Sequence, residues 1–161
     1  MRCARTVRKV CRFGINGIVM WDFFGYKKRK LRKLSDTFLW TAKALYGEGV
    51  HPFDFDKERE EAYERIVGAG VQLIMYKGIE YFAGFVMEYP YRVNVWTAFI
   101  VLEYGNPSPN QVLQITKKDT IVEHCLKIVK SNETPPLSER INRNKKEWIN
   151  KMELKYGIPV S

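Results

Sequence analysis

The sequence predicts an α+β fold, in which a mainly antiparallel sheet of three to five strands is packed by about four helices. Apolar residues recur every three or four positions near residues 30–46, 57–67, 118–130 and 138–156, which is typical of helices. Between these segments, residues 71–104 are rich in β-branched and aromatic residues, which favour strands. With 161 residues, of which 45% are hydrophobic, the chain is long enough to bury one core.

At the N-terminus, residues 1–26 are predicted to form a basic arm and a short apolar segment, and residues 27–161 a single globular domain. The apolar residues within 15–24 favour a strand. The first helix follows, because Leu31, Leu34, Phe38, Ala42 and Leu45 recur at helical spacing. Gly47 then stands where helices commonly end.

The second predicted helix covers residues 57–67, with acidic residues in its first turn and with Gly68 and Gly70 to end it. Three antiparallel strands are predicted to follow it, over residues 71–77, 79–89 and 91–104. In the middle strand, alternate residues place one wholly apolar face opposite a mixed one. The third strand is apolar on both faces, so we expect it to be covered on both sides.

The last part of the sequence predicts a short edge strand over residues 112–115 and two further helices. Thr116 and Asp119 resemble a capping box at the start of the helix near 118–130. The final helix, over residues 138–156, carries few apolar residues and many basic ones, and Gly157 is predicted to end it.

The charge of the chain is concentrated at one end. Residues 1–34 hold eleven bases and one acid, a formal charge of +10, whereas residues 35–161 hold 16 bases and 17 acids. Such asymmetry is typical of proteins that bind polyanions. The residues predicted to bind nucleic acid are Arg2, Arg5, Arg8, Lys9, Arg12, Lys27, Lys28, Arg29, Lys30, Arg32, Lys33, Lys117, Lys118, Arg143 and Lys146.

These features predict a non-enzymatic nucleic-acid-associated binding or adaptor protein, with no cofactor. Its basic N-terminal region is expected to contact phosphates and its nearly neutral body a protein partner, with RNA and DNA left open. Exposed tyrosines would add stacking platforms for bases, and the candidates are Tyr81, Tyr89, Tyr91 and Tyr104, although packing in the core is the interpretation that we favour for each ring. Two alternatives stay open: a subunit of a larger assembly, such as a viral one, and a protein that binds an anionic membrane surface.

The enzyme alternative depends on one loop, where His51, Asp54 and Asp56 have the residue types of a divalent-metal site. The competing interpretation, which we favour, is a loop histidine followed by carboxylates that cap the next helix. His124 and Cys125 are adjacent in sequence, but neighbours on a helix point about 100° apart and do not form a catalytic dyad.

The number and spacing of the cysteines indicate the redox state of the cellular compartment. Cys3, Cys11 and Cys125 are odd in number and form no C-x-x-C pair, so the sequence predicts neither a disulfide framework nor a zinc site. We therefore expect the cytoplasm or another reducing intracellular compartment. Residues 1–21 are rich in arginine and free of acid, which leaves an organellar presequence open. No apolar run is long enough to span a membrane.

Two families share the predicted order of elements. The helix, three strands and helix over residues 57–130 resemble a double-stranded-RNA-binding domain, in which Lys117 and Lys118 would contact phosphates at the start of the last helix. The same order is also similar to the front half of a GNAT acetyltransferase. That resemblance implies an acetyl-transferring enzyme, but residues 105–111 lack the glycine-rich turn that binds the cofactor pyrophosphate.

Overall fold

Most of the part of the chain that the structure describes is helical. The computed structural model describes residues 14–131 and 136–158, and side chains from residue 25 onward. The described residues are 74% helical and contain no strand, so the predicted sheet and the α+β class are wrong. They divide into two compact units, of which the first ends at Lys33 and the second begins at Leu34.

Six α-helices are found in the described ranges. They are α1 (Gly14–Gly47), α2 (Glu61–Lys77), α3 (Ile79–Ala83), α4 (Val93–Ile100), α5 (Ile121–Lys130) and α6 (Glu139–Tyr156). Shorter helical turns connect them: 3₁₀ turns at Phe55–Lys57, Gly84–Met87 and Pro90–Arg92, and a π-helical segment at Val101–Gly105. None of these described helices has a stretch long and apolar enough to span a membrane.

The first helix begins much earlier than the sequence predicts. Residues 15–24, which favoured a strand, belong to α1. The predicted apolar stripe is found in its second half, where Phe38, Ala42 and Leu45 are completely buried. Gly47 ends the helix as expected.

The segment predicted to be the first strand is the second half of α2. Ile66, Ala69 and Leu73 are buried at helical spacing, which continues the apolar stripe past the glycines that were expected to end the helix. Gly70 is needed for packing, because a Cβ atom there would lie 2.9 Å from both Ile100 Cδ1 and Phe82 Cζ. The helix ends instead at Gly78, whose φ of 90° favours glycine.

The second and third predicted strands are also helical. In residues 79–89 the buried residues are Phe82, Ala83 and Val86, which recur at helical spacing and lie on both faces of the predicted alternation. All eight residues of α4 are buried, so a run that is apolar on both faces is a central helix, packed against α2, α3 and α5.

The helices predicted near residues 118–130 and 138–156 are confirmed as α5 and α6, but different residues form the N-terminal cap of α5. The capping box of α5 is formed by Thr120 and Glu123, not by Thr116 and Asp119. The expected edge strand at 112–115 is a single antiparallel bridge between Val112 and Thr120. Ser138 caps the start of α6, and Gly157 ends it with a φ of 67°.

Candidate functional site

The basic residues nearest the N-terminus that the structure describes form one segment of α1, residues 27–33, which we call the basic segment. Its six basic side chains, Lys27, Lys28, Arg29, Lys30, Arg32 and Lys33, are all exposed, and Leu31 is half-buried. Arg29 Nε also donates a hydrogen bond to the carbonyl oxygen of Gly25, at 3.3 Å. Because α1 begins at Gly14, these residues lie within the helix and not in its first turns, where the sequence placed them.

The other predicted phosphate-binding residues fall into three groups. Those of the arm lie outside the described residues: Arg2, Arg5, Arg8, Lys9 and Arg12. Lys117 and Lys118 are exposed in the loop before α5, and Lys117 has a φ of 53°. Arg143 and Lys146 are exposed on α6.

Much of the basic charge of α6 is used within the fold. Lys145 is buried and donates to the carbonyl oxygen of Ser131, at 3.1 Å. Lys151 forms an ion pair with Glu103, with Nζ and Oε1 2.7 Å apart. Of the many basic residues predicted on the final helix, only those that are exposed therefore stay candidates for binding phosphate.

The second unit carries a group of aromatic and basic side chains, which we call the aromatic face: the exposed Trp40, Lys43, Tyr46 and Tyr91 and the half-buried Arg92. Lys43 Nζ lies 5.1 Å from the ring centroid of Trp40 and 5.5 Å from that of Tyr91. Arg92 lies over the ring of Tyr46, at 5.2 Å. Trp40 is 67% exposed, which is unusual for the largest apolar side chain.

Part of this face has a strained backbone. Tyr91 and Arg92 both have a φ of 56°, a left-handed conformation that costs about 1–2 kcal/mol for a residue with a Cβ atom. Tyr91 contacts Tyr46 edge to face, with centroids 5.8 Å apart. A groove of about 350 Å³ runs beside Trp40 and Tyr91, and it is lined by Asp36 and Glu88 as well as Lys43. Its mixed charge suits a neutral ring better than a phosphate.

All four tyrosines predicted as stacking platforms are exposed. Tyr89 is the most exposed of them, and Tyr81, Tyr91 and Tyr104 are each more than two-fifths exposed. Only Tyr91 belongs to the aromatic face.

The His51 loop is built into the core. His51 is completely buried, and its Nδ1 accepts a hydrogen bond from the backbone N–H of Phe53, at 3.3 Å. Tyr63 Oη donates to the carbonyl oxygen of Pro52, and Asn144 Nδ2 donates to that of Phe53. These contacts from α2 and α6 make the loop a packing element.

Both carboxylates of the candidate metal site form ion pairs with one arginine, Arg140. Arg140 Nη2 lies 2.7 Å from Oδ1 of the buried Asp54, and Nη1 of the same guanidinium contacts Asp56. Neither carboxylate caps α2, which begins at Glu61. In the described part of the chain, no cluster of three or more potential metal ligands is found.

His124 and Cys125 do not act together. His124 Nδ1 lies 3.4 Å from Asp119 Oδ2, and Lys127 contacts the other carboxylate oxygen. The hydrogen bonds from Lys127 and His124 lower the pKa of Asp119. Cys125 is buried, and burial raises the pKa of its thiol, so it is a core residue and a poor nucleophile.

A cavity of about 300 Å³ lies between the π-helical segment, the loop before α2 and α6. We call it the aromatic cavity. Its four rings are Phe55, Phe99, Tyr104 and Trp148, and its charged residues are Glu58, Glu103, Glu147 and Lys151. Glu103 accepts hydrogen bonds from Trp148 Nε1 and Lys151 Nζ, both at 2.7 Å. π-Helical segments are rare and often occur at functional sites.

The basic segment, the aromatic face and the aromatic cavity are the surfaces from which a function can be argued. No known protein family, curated protein or solved structure matches the chain. The basic segment is visible in the sequence. Trp40, Lys43 and Tyr46 of the aromatic face were not predicted, although they recur every three residues in α1 outside its buried stripe. The aromatic cavity joins residues up to 96 positions apart, from Phe55 to Lys151, and no local pattern indicates it.

Proposed function

We propose that this protein is a non-enzymatic nucleic-acid-binding protein, in which the basic segment contacts phosphates and the aromatic face stacks on bases. The observation that carries the proposal is six exposed basic side chains within seven consecutive helical residues. A regular helix holds such charges at fixed spacing along a polyanion. Electrostatic binding of this kind is independent of sequence and steeply dependent on salt.

Like charges lie close together along this segment. Lys28 and Arg32, like Arg29 and Lys33, are four residues apart on α1, a spacing at which like charges repel by about 0.2–0.5 kcal/mol per pair. An anionic partner such as a phosphate backbone would reduce this repulsion.

The aromatic face adds a contact of a different kind. Stacking of a base on an aromatic ring contributes about 1–3 kcal/mol and tolerates any sequence. Trp40 and Tyr91 present exposed rings, and Lys43 lies within cation–π distance of both. Stacking needs unpaired bases, so this face favours single strands.

The basic segment is tested with two variants of the full chain. One replaces its six basic residues by glutamine, which keeps helix propensity and removes charge. The matched control exchanges its lysines for arginines and its arginines for lysines, which keeps the charge. Fluorescence anisotropy with labelled oligonucleotides is expected to give at least about tenfold weaker binding for the glutamine variant and little change for the control. Equal affinity of the glutamine variant and the unmodified protein contradicts the proposal.

The aromatic face is tested with Trp40→Ala. We expect weaker binding of a single-stranded oligonucleotide, by about fivefold or more, and unchanged binding of a duplex. Leu154→Ala is the control, because Leu154 is an exposed apolar residue outside this face. A loss that is the same for single strand and duplex contradicts the stacking role.

Other expectations stay predictions. Vesicles that contain anionic lipids, used in the same titration, test the membrane alternative. Light scattering with and without oligonucleotide tests for a larger assembly, and a protein partner of the second unit is a separate prediction. The His51 loop offers no support for an enzyme, because His51 is buried and Asp54 and Asp56 bind Arg140.

A further inference from the structure

The aromatic cavity is aromatic and acidic in a protein whose formal charge is +9. Its rings lie close together: the centroid of Phe99 is 5.4 Å from that of Trp148 and 6.2 Å from that of Tyr104. Aromatic faces attract cations through the negative potential above the ring. Several rings around one space are the arrangement that recognises weakly hydrated ammonium groups.

The carboxylates of the cavity are not all used within the protein. Glu103 is bound by Lys151 and Trp148. Glu58 and Glu147 are exposed, and in the described residues neither carboxylate forms a hydrogen bond or an ion pair. Three carboxylates and one amine leave the cavity with a net negative charge.

The hydrogen bond from Trp148 to Glu103 strengthens this polarity. A carboxylate that accepts the indole N–H places negative charge beside the ring and makes its face a better acceptor for a cation. Burial and the nearby Glu103 and Glu58 carboxylates raise the pKa of Tyr104, so the phenol stays neutral at physiological pH. The interior is therefore poorly suited to anions.

We infer that the aromatic cavity binds a quaternary ammonium group, with the rings around its methyl groups and Glu58 and Glu147 at its positive charge. Its volume of about 300 Å³ is at the lower end for ligand sites, which suits a small head group. The group belongs either to a free small molecule of the choline type or to a trimethylated lysine side chain. This site is independent of nucleic-acid binding.

An NMR titration of the full chain with choline tests the inference. We expect choline to shift the indole N–H signal of Trp148 and the amide signals of Tyr104 and Phe55. The neutral isostere 3,3-dimethylbutan-1-ol has the same shape without the charge, and we expect it to bind at least about fivefold more weakly. Equal binding of the isostere and choline overturns the inference, as does the absence of shifts with choline if the trimethylated peptide described below binds no better than its unmodified counterpart.

Variants test the carboxylates. Glu58→Gln and Glu147→Gln change exposed side chains, so both proteins are expected to fold, and each is expected to bind choline about fivefold more weakly. The control is Glu64→Gln, which changes an exposed glutamate of α2 that does not line the cavity. An equal loss in the control overturns the inference.

A second arm identifies the source of the ammonium group. A peptide with one trimethyllysine is compared with the same peptide carrying unmodified lysine. Tighter binding of the trimethylated peptide than of choline supports a side chain as the ligand, and tighter binding of choline supports a free molecule. Equal binding of the two peptides, together with no binding of choline, overturns the inference.

Discussion

Arg140 is the residue that joins the loop at residues 51–54 to α6. Its guanidinium contacts the buried carboxylate of Asp54, 86 positions earlier in the chain. A buried carboxylate without a partner is costly, so the arginine stabilises the fold through a charge that Asp54 would otherwise leave uncompensated. The sequence identified Asp54 as chemically notable but could not identify its partner, because a contact of this sequence separation leaves no local pattern.

We expect Arg140→Ala to lower the free energy of unfolding by about 1–3 kcal/mol, because it leaves Asp54 buried and unpaired. Urea denaturation measures the change. Arg143→Ala, three residues further along α6, removes an exposed arginine and is expected to change the free energy by less than about 0.5 kcal/mol. Equal effects of the two substitutions contradict the role of Arg140.

Gly68 and Gly70 provide a matched pair within α2. Alanine at either position gains about 0.5–1 kcal/mol of helix propensity. A Cβ atom at position 68 meets nothing within 4 Å, whereas one at position 70 would lie 2.9 Å from Ile100 and Phe82. We expect Gly68→Ala to raise the free energy of unfolding and Gly70→Ala to lower it by about 1–3 kcal/mol. Thermal denaturation tests the signs, and stabilisation by both substitutions contradicts the packing around Gly70.

At the scale of elements, glycines correctly predicted the ends of α1 and α6 but not that of α2, which continues past Gly68 and Gly70. Gly47 and Gly157 end α1 and α6 where they were expected to. The error lies in residues 71–104, because the preference of β-branched and aromatic residues for strands is weak and depends on how they pack. In α4 the apolar residues are buried on every side, and a run without a polar face has no period that separates helix from strand.

The capping box of α5 makes a pH-dependent contribution. Hydrogen bonds from the backbone N–H and the side chain of Thr120 lower the pKa of Glu123. A lowered pKa means that folding favours the carboxylate, so the stabilisation is present at neutral pH and is lost as the pH falls through the pKa in the folded protein.

We expect Glu123→Gln to be less stable than the unmodified protein at pH 7, and the difference to shrink as the pH is lowered. Urea denaturation across this pH range measures it. Thr120→Ala removes the other half of the box and is expected to cost about 1 kcal/mol at pH 7. Glu88→Gln changes an exposed carboxylate outside any cap and serves as the control. A difference for Glu123→Gln that grows on acidification contradicts the assigned direction.

At the scale of the whole molecule, the basic segment and the buried core residues that the structure describes lie in different units. The basic segment belongs to the unit that ends at Lys33, and the buried core residues belong to the unit that begins at Leu34. The asymmetry of charge along the chain is evident from composition alone, because net charge depends only on counting residues and not on the fold. The aromatic cavity depends on the fold and could not be predicted in the same way.

The salt dependence of nucleic-acid binding tests the central claim most directly. The logarithm of the association constant is measured against the logarithm of salt concentration for the unmodified chain and for the variant with glutamine at the six basic positions of residues 27–33. If these residues contact phosphates of duplex DNA, the slope becomes shallower by about 3–5 in the variant, because each phosphate contact contributes about 0.9. The same slope for both proteins would show that the basic segment does not contact phosphates, and it would contradict the proposed function.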